Sequence, residues 1–95
     1  MNQTWGKMLQ KNGLLIKDIP ENEINEELQI LAVKQNGFAI KYIKNPSFLV
    51  CYYAVKTNAL SLEFIDNSKY SKEEYEEICN EAVKKKKLSK KYIKN

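Results

Sequence analysis

One fourteen-residue pattern occurs twice without a gap. Ala32-Val33-Lys34-Gln35-Asn36-Gly37-Phe38-Ala39-Ile40-Lys41-Tyr42-Ile43-Lys44-Asn45 aligns on Ala54-Val55-Lys56-Thr57-Asn58-Ala59-Leu60-Ser61-Leu62-Glu63-Phe64-Ile65-Asp66-Asn67 at an offset of 22 residues. A third copy starts 28 residues later at Ala82-Val83-Lys84 and ends in Tyr92-Ile93-Lys94-Asn95, and a degenerate copy, Met8 to Ile19, lies 24 residues before the first pair. A chain that repeats itself at this period builds its core by stacking similar units, each too small to bury its own apolar face. The expected architecture is therefore all-α, a short solenoid-like stack of four degenerate helix pairs forming one domain over residues 1–95.

Within a unit the first helix is marked by its apolar spacing and its caps. Leu28, Leu31 and Ala32 stand at i, i+3 and i+4, Glu26 and Glu27 fall in the first turn where the helix dipole favours anions, and Asn25 and Ser47 are N-cap residues. Ser71-Lys72-Glu73-Glu74 reads as a capping box for a longer helix running to about Lys86. Asn12-Gly13 and Asn36-Gly37 are read as helix stops in which glycine takes the left-handed conformation. The second helix of each unit is short. Ala39, Ser61 and Ser89 precede Tyr42-Ile43, Phe64-Ile65 and Tyr92-Ile93 by three and four residues, which predicts a close-approach site and two large anchors on one face. The expected helices cover residues 4–11, 25–35, 38–44, 47–57, 60–66, 71–86 and 88–93.

Runs such as Leu31-Ala32-Val33-Lys34-Gln35-Asn36-Gly37-Phe38-Ala39-Ile40-Lys41-Tyr42-Ile43, followed by Asn45-Pro46-Ser47, resemble the tandem helical repeats of the family called domain of unknown function 4116. The resemblance covers residues 8 to 67; in the last unit Lys86-Lys87 replaces Asn-Gly. It implies an all-helical repeat fold of a kind found in giant viruses, bacteria and mobile elements, and it carries over no catalytic residue.

Composition narrows the chemistry. The chain has 95 residues, 16 lysines, 12 carboxylates and no histidine, with a net charge of +4. Without histidine, the usual triads and most catalytic zinc sites lose an essential member, and no phosphate-binding glycine loop or nucleophile elbow is present. A non-enzyme that needs no cofactor or metal is the expectation. No apolar run is long enough for a membrane span, and the N-terminal residues lack a hydrophobic signal core, so a cytoplasmic protein is expected.

Cys51 and Cys79 occupy equivalent positions in successive units. Stacked helix axes about 8–10 Å apart put them beyond disulfide reach, so both are read as reduced packing residues. Glu73, Glu74, Glu76, Glu77 and Glu81 read as a solvated helix face. The charge is strongly uneven: residues 82 to 95 carry seven lysines and no carboxylate, and the rest nine lysines against 12 acids, giving +7 and −3. Lys84, Lys85, Lys86, Lys87, Lys90 and Lys91 are either a solvated cap on the stack or an arm that neutralises the phosphates of nucleic acid. Arginine, which reads guanine bidentately, is absent, which argues against sequence-specific DNA recognition.

Comparing the units exposes one mismatch. Where the second and fourth units carry Glu26-Glu27 and Glu76-Glu77, the third carries Phe48-Leu49. A helical wheel puts Leu49 beside Lys56 on the solvent arc and Phe48 near Tyr52, so Phe48, Leu49 and Tyr52 are the candidate protein-binding residues unless Trp5 or a neighbouring helix covers them. The expected function is binding to another protein, because stacked repeats present extended surfaces and the chain lacks apparatus for chemistry. The resemblance, through the occurrence of such repeats on mobile elements, implies a phage or mobile-element inhibitor or adaptor that docks on a host defence complex. Nucleic-acid binding through the lysine-rich segment is the rival, and the chain is expected to be a monomer or weak homodimer.

Overall fold

A computed structural model of the protein describes residues 3–95, and the described residues are helical with no strand. Four α-helices alternate with short 3-10 helices: α1 Gln3–Lys11, α2 Glu26–Gln35, α3 Phe48–Thr57 and α4 Lys72–Lys85. Each is followed by a six-residue 3-10 helix, Gly13–Asp18, Gly37–Tyr42, Ala59–Phe64 and Lys87–Tyr92. Single 3-10 turns at Glu21–Glu23 and Asn67–Lys69 fill the two longer connections. Each α-helix packs on the next in chain order, and so does each six-residue 3-10 helix, which gives an elongated body of 39 × 22 × 15 Å with one α edge and one 3-10 edge.

The caps expected from sequence are present. Asn25 accepts a hydrogen bond from Leu28 N at 2.9 Å, Ser47 accepts from Val50 N at 3.3 Å, and Ser71 and Glu74 form the reciprocal capping box. The helix stops work differently from the expectation. No described glycine has a positive φ; Asn12, Asn36 and Asn58 are extended at the junctions, with φ of −154°, −149° and −148°. Each of the three closes the preceding α-helix with its backbone N–H, and its side chain then accepts from the N–H two residues on, at 3.0–3.1 Å. One residue thus ends one helix and caps the next.

The glycines are needed for space. A Cβ on Gly13 would lie 2.2 Å from the carbonyl oxygen of Ala32, and one on Gly37 would lie 2.5 Å from that of Ala54. The glycine of one unit therefore seats against the Ala-Val pair of the next, and that contact sets the inter-unit distance at the first two junctions. Asn45, with φ of 48°, takes a left-handed conformation, which asparagine tolerates better than most residues.

The second helices of the units are 3-10, not α, and the structure adds one at Gly13–Asp18 that the expected set lacks. Closure from i to i+3 runs through Ala39 N to Asn36 O, Ser61 N to Asn58 O and Ser89 N to Lys86 O, all at 2.9–3.0 Å. With three residues per turn, residues at i and i+3 eclipse. Ile16 and Ile19, Ile40 and Ile43, and Leu62 and Ile65 accordingly point inward together and are buried. The expected anchors Tyr42 and Phe64 are instead 40% exposed, and Ile93 is exposed as well. Ala39, Ser61 and Ser89 are fully buried, as their close-approach role requires.

The core runs the length of the stack through Leu9, Ile16, Val33, Val50, Val55, Leu62, Ile65 and Ile78, with Ala32, Ala54 and Ala82 at the helix contacts. Polar ties cross each junction. Gly13 N donates to Gln35 Oε1 at 2.6 Å, Ser47 Oγ donates to Glu26 Oε2 at 2.5 Å, and Lys69 Nζ donates to Asn45 Oδ1 at 2.8 Å.

Candidate protein-binding surface

α3 is the most apolar of the four helices, and its periodicity divides it cleanly. Val50, Cys51, Ala54 and Val55 face the core and are fully buried, so Phe48, Leu49, Tyr52, Tyr53 and Lys56 lie on the remaining faces. Ser47 fixes the start of the helix and is itself held by Glu26 of α2. This anchors the first turn, where Phe48 and Leu49 stand.

Leu49 is 41% exposed, among the most exposed large apolar side chains described. Phe48 is half-buried, resting one face on the core, and its ring lies 6.0 Å from that of Tyr52. Tyr52 in turn meets Tyr53 edge-on at 6.1 Å, and its hydroxyl donates to Glu81 Oε1 of α4 at 3.5 Å. Two ammonium groups border the aromatic row: Lys56 Nζ is 5.9 Å from the Tyr52 ring and Lys34 Nζ, from α2, is 4.6 Å from that of Tyr53. The result is an apolar strip along α3 with a lysine rim. Trp5 sits in the first unit, where its indole N–H donates to Glu23 at 2.7 Å.

Glu81 departs from the solvated face on which the sequence places it. It is 8% exposed, between the Tyr52 hydroxyl and Lys84 Nζ at 3.7 Å. Glu73, Glu76 and Glu77 are exposed and Glu74 is occupied in the capping box. Among the described residues, no group of three or more histidine, cysteine, aspartate or glutamate residues could hold a metal ion. No described helix is long and apolar enough to cross a membrane.

The lysine-rich segment is divided by the fold. Lys84 and Lys85 end α4, Lys86 is the extended junction residue, and Lys87, Lys90 and Lys91 belong to the last 3-10 helix; all are exposed. Lys94 is engaged differently, donating from Nζ to the carbonyls of Leu62 at 3.3 Å and Glu63 at 3.0 Å. Its backbone N–H donates to the Tyr75 hydroxyl at 3.0 Å.

Both cysteines are free thiols and buried. Cys51 donates to the Tyr70 hydroxyl at 3.2 Å, and Tyr70 donates onward to the Pro46 carbonyl, so this pair ties the connection before α4 to the one before α3. Burial pushes the Cys51 thiol up to about 11, only partly offset by its hydrogen bond with Tyr70, and burial raises Cys79 as well. Neither thiol is ionised at neutral pH, which removes the nucleophilic form.

Comparison with protein-family models, curated proteins and solved structures finds no match to this chain.

Proposed function

We propose that the chain is a non-catalytic helical-repeat protein that docks on another protein through the outer face of α3, with Phe48, Leu49 and Tyr52 as anchors. The observation that carries this reading is the exposed Leu49 and the half-buried Phe48, whose equivalent positions in two other units carry glutamate, beside the half-buried Tyr52. Apolar side chains held by a rigid helix and surrounded by polar groups supply burial on association at little ordering cost. Membership of the domain of unknown function 4116 repeats belongs to the same proposal. The presence of such repeats on mobile elements supports a phage or mobile-element inhibitor or adaptor acting on a host defence complex.

The test is Phe48→Glu combined with Leu49→Glu. The double variant is expected to keep the helical spectrum and lose the partner that the wild-type chain retains from host extract. A folded variant that retains the same partner would show that the strip is idle, and a variant that unfolds would show that it is core.

A further inference from the structure

The 3-10 edge of the stack carries a second surface, distinct from α3 and independent of the protein-docking reading. In units two to four the six-residue 3-10 helices hold four lysines, Lys41, Lys87, Lys90 and Lys91, against one carboxylate, Glu63. The α-helices of the same units hold five lysines against seven glutamates. With the first unit counted as well, the α-helices hold seven lysines against seven glutamates and the six-residue 3-10 helices five lysines against two carboxylates, so the 3-10 edge is basic and the α edge balanced.

The basic edge is also where aromatic rings come to the surface. The three-residue turn that directs Ile43 and Ile65 inward leaves Tyr42 and Phe64 each 40% exposed. The rings and ammonium groups of neighbouring units meet there. Phe38 and Phe64 contact edge to face at 5.8 Å, and Lys41 Nζ lies 5.4 Å from the Tyr42 ring and 5.7 Å from the Phe64 ring. The Lys-Tyr pair recurs at the same register position in the last unit, with Lys91 Nζ 5.3 Å from Tyr92. Glu63, the single carboxylate there in units two to four, has the Lys94 ammonium on its own backbone carbonyl.

Exposed flat rings interleaved with lysines along an elongated edge match a ligand that is flat and apolar at regular intervals and anionic between them. We propose that this edge binds single-stranded nucleic acid without sequence preference, bases stacking on Tyr42 and Phe64 and phosphates meeting Lys41, Lys90 and Lys91. Stacking suits every base, and point-charge lysines track a backbone without reading base edges. An acidic peptide satisfies the charge and leaves the rings without partners.

Fluorescence anisotropy with a labelled fifteen-nucleotide oligothymidine tests this, alongside an abasic strand of equal charge and a fifteen-residue polyglutamate. Three or four phosphate contacts predict an affinity that falls about 10–50-fold between 50 and 200 mM salt. Tyr42→Leu with Phe64→Leu, which keeps apolar volume at two partly exposed sites, is expected to weaken oligothymidine about 5–30-fold and to leave the abasic strand unchanged. Lys41→Gln with Lys91→Gln should weaken both strands, whereas Lys72→Gln, at the exposed start of α4, should weaken neither. Equal binding of oligothymidine and the abasic strand, polyglutamate binding as tight as oligothymidine, an unaffected leucine variant, or no binding at 50 mM salt would each overturn the proposal.

Discussion

Gly37 and Gly6 are the same residue type under opposite constraints. At Gly37 an added methyl group meets backbone, the Ala54 carbonyl at 2.5 Å, and Ser61 Oγ at 2.8 Å, so the two units must separate to admit it. At Gly6, within α1, the nearest atom is Leu31 Cδ1 at an ordinary 3.6 Å. Gly37→Ala should therefore destabilise by about 1–3 kcal/mol through overpacking, and Gly6→Ala should stabilise by about 0.5–1 kcal/mol by lowering the freedom of the unfolded chain. Urea denaturation of the two variants beside wild type reads both signs, and a neutral Gly37→Ala would remove the close-approach role assigned to it. Cys51 supplies a second prediction. Its folded-state pKa of about 11 lies above the ordinary 9.0, so between these values the unfolded chain has given up a proton that the folded one keeps. Stability is unaffected by this group below pH 9 and falls as pH rises toward 11. Cys51→Ala should flatten that alkaline decline in the denaturation midpoint; an identical slope in the variant would show that the thiol plays no part.

The elements were legible in the sequence to different degrees, and the difference is one of helix geometry. Asn25, Ser47 and the Ser71 capping box mark α-helix starts through local hydrogen bonds that short side chains make wherever they stand, so α2, α3 and α4 begin where these residues place them. The 3-10 segments were legible as helices and misread in period. A spacing of 3.6 residues groups Tyr42 with Ile43, whereas a spacing of three groups Ile40 with Ile43 and turns Tyr42 outward. The Asn-Gly pairs gave no hint in sequence of a glycine chosen for a neighbouring carbonyl, since that contact forms between units. The placing of Glu81 against the Tyr52 hydroxyl likewise depends on α3 and α4 packing together, residues 29 positions apart in the chain. The last 3-10 helix carries its own prediction. Ser89 is fully buried and Lys94 holds Tyr75 and the Leu62 and Glu63 carbonyls, so deleting residues 90–95 should lower the melting temperature. Neutralising Lys85 to Lys87, with Lys84 kept because it pairs with the buried Glu81 at 3.7 Å, should leave it nearly unchanged, because exposed substitutions of this kind usually stay within about 0.5 kcal/mol. Unfolding on neutralisation would show that these side chains hold structure.

At the scale of the whole molecule, stacking leaves two long edges exposed, and the residues that distinguish one unit from another differ in kind between them. On the α edge the unit-to-unit change is from glutamate to Phe48 and Leu49; on the 3-10 edge a lysine stands beside a tyrosine ring in two units, the ring exposed at Tyr42 and half-buried at Tyr92. The surface residues differ from unit to unit while alanine stays fully buried at the equivalent positions 32, 54 and 82. The proposal that α3 is the docking face is tested most directly by placing a photo-crosslinking benzophenone side chain at position 49 in one variant and at position 77, its exposed equivalent on α4, in another. Irradiation in cell extract is predicted to join a discrete partner to the position 49 variant and not to the position 77 variant. Adducts formed equally at both positions, or at position 77 alone, would contradict the assignment of the docking face to α3.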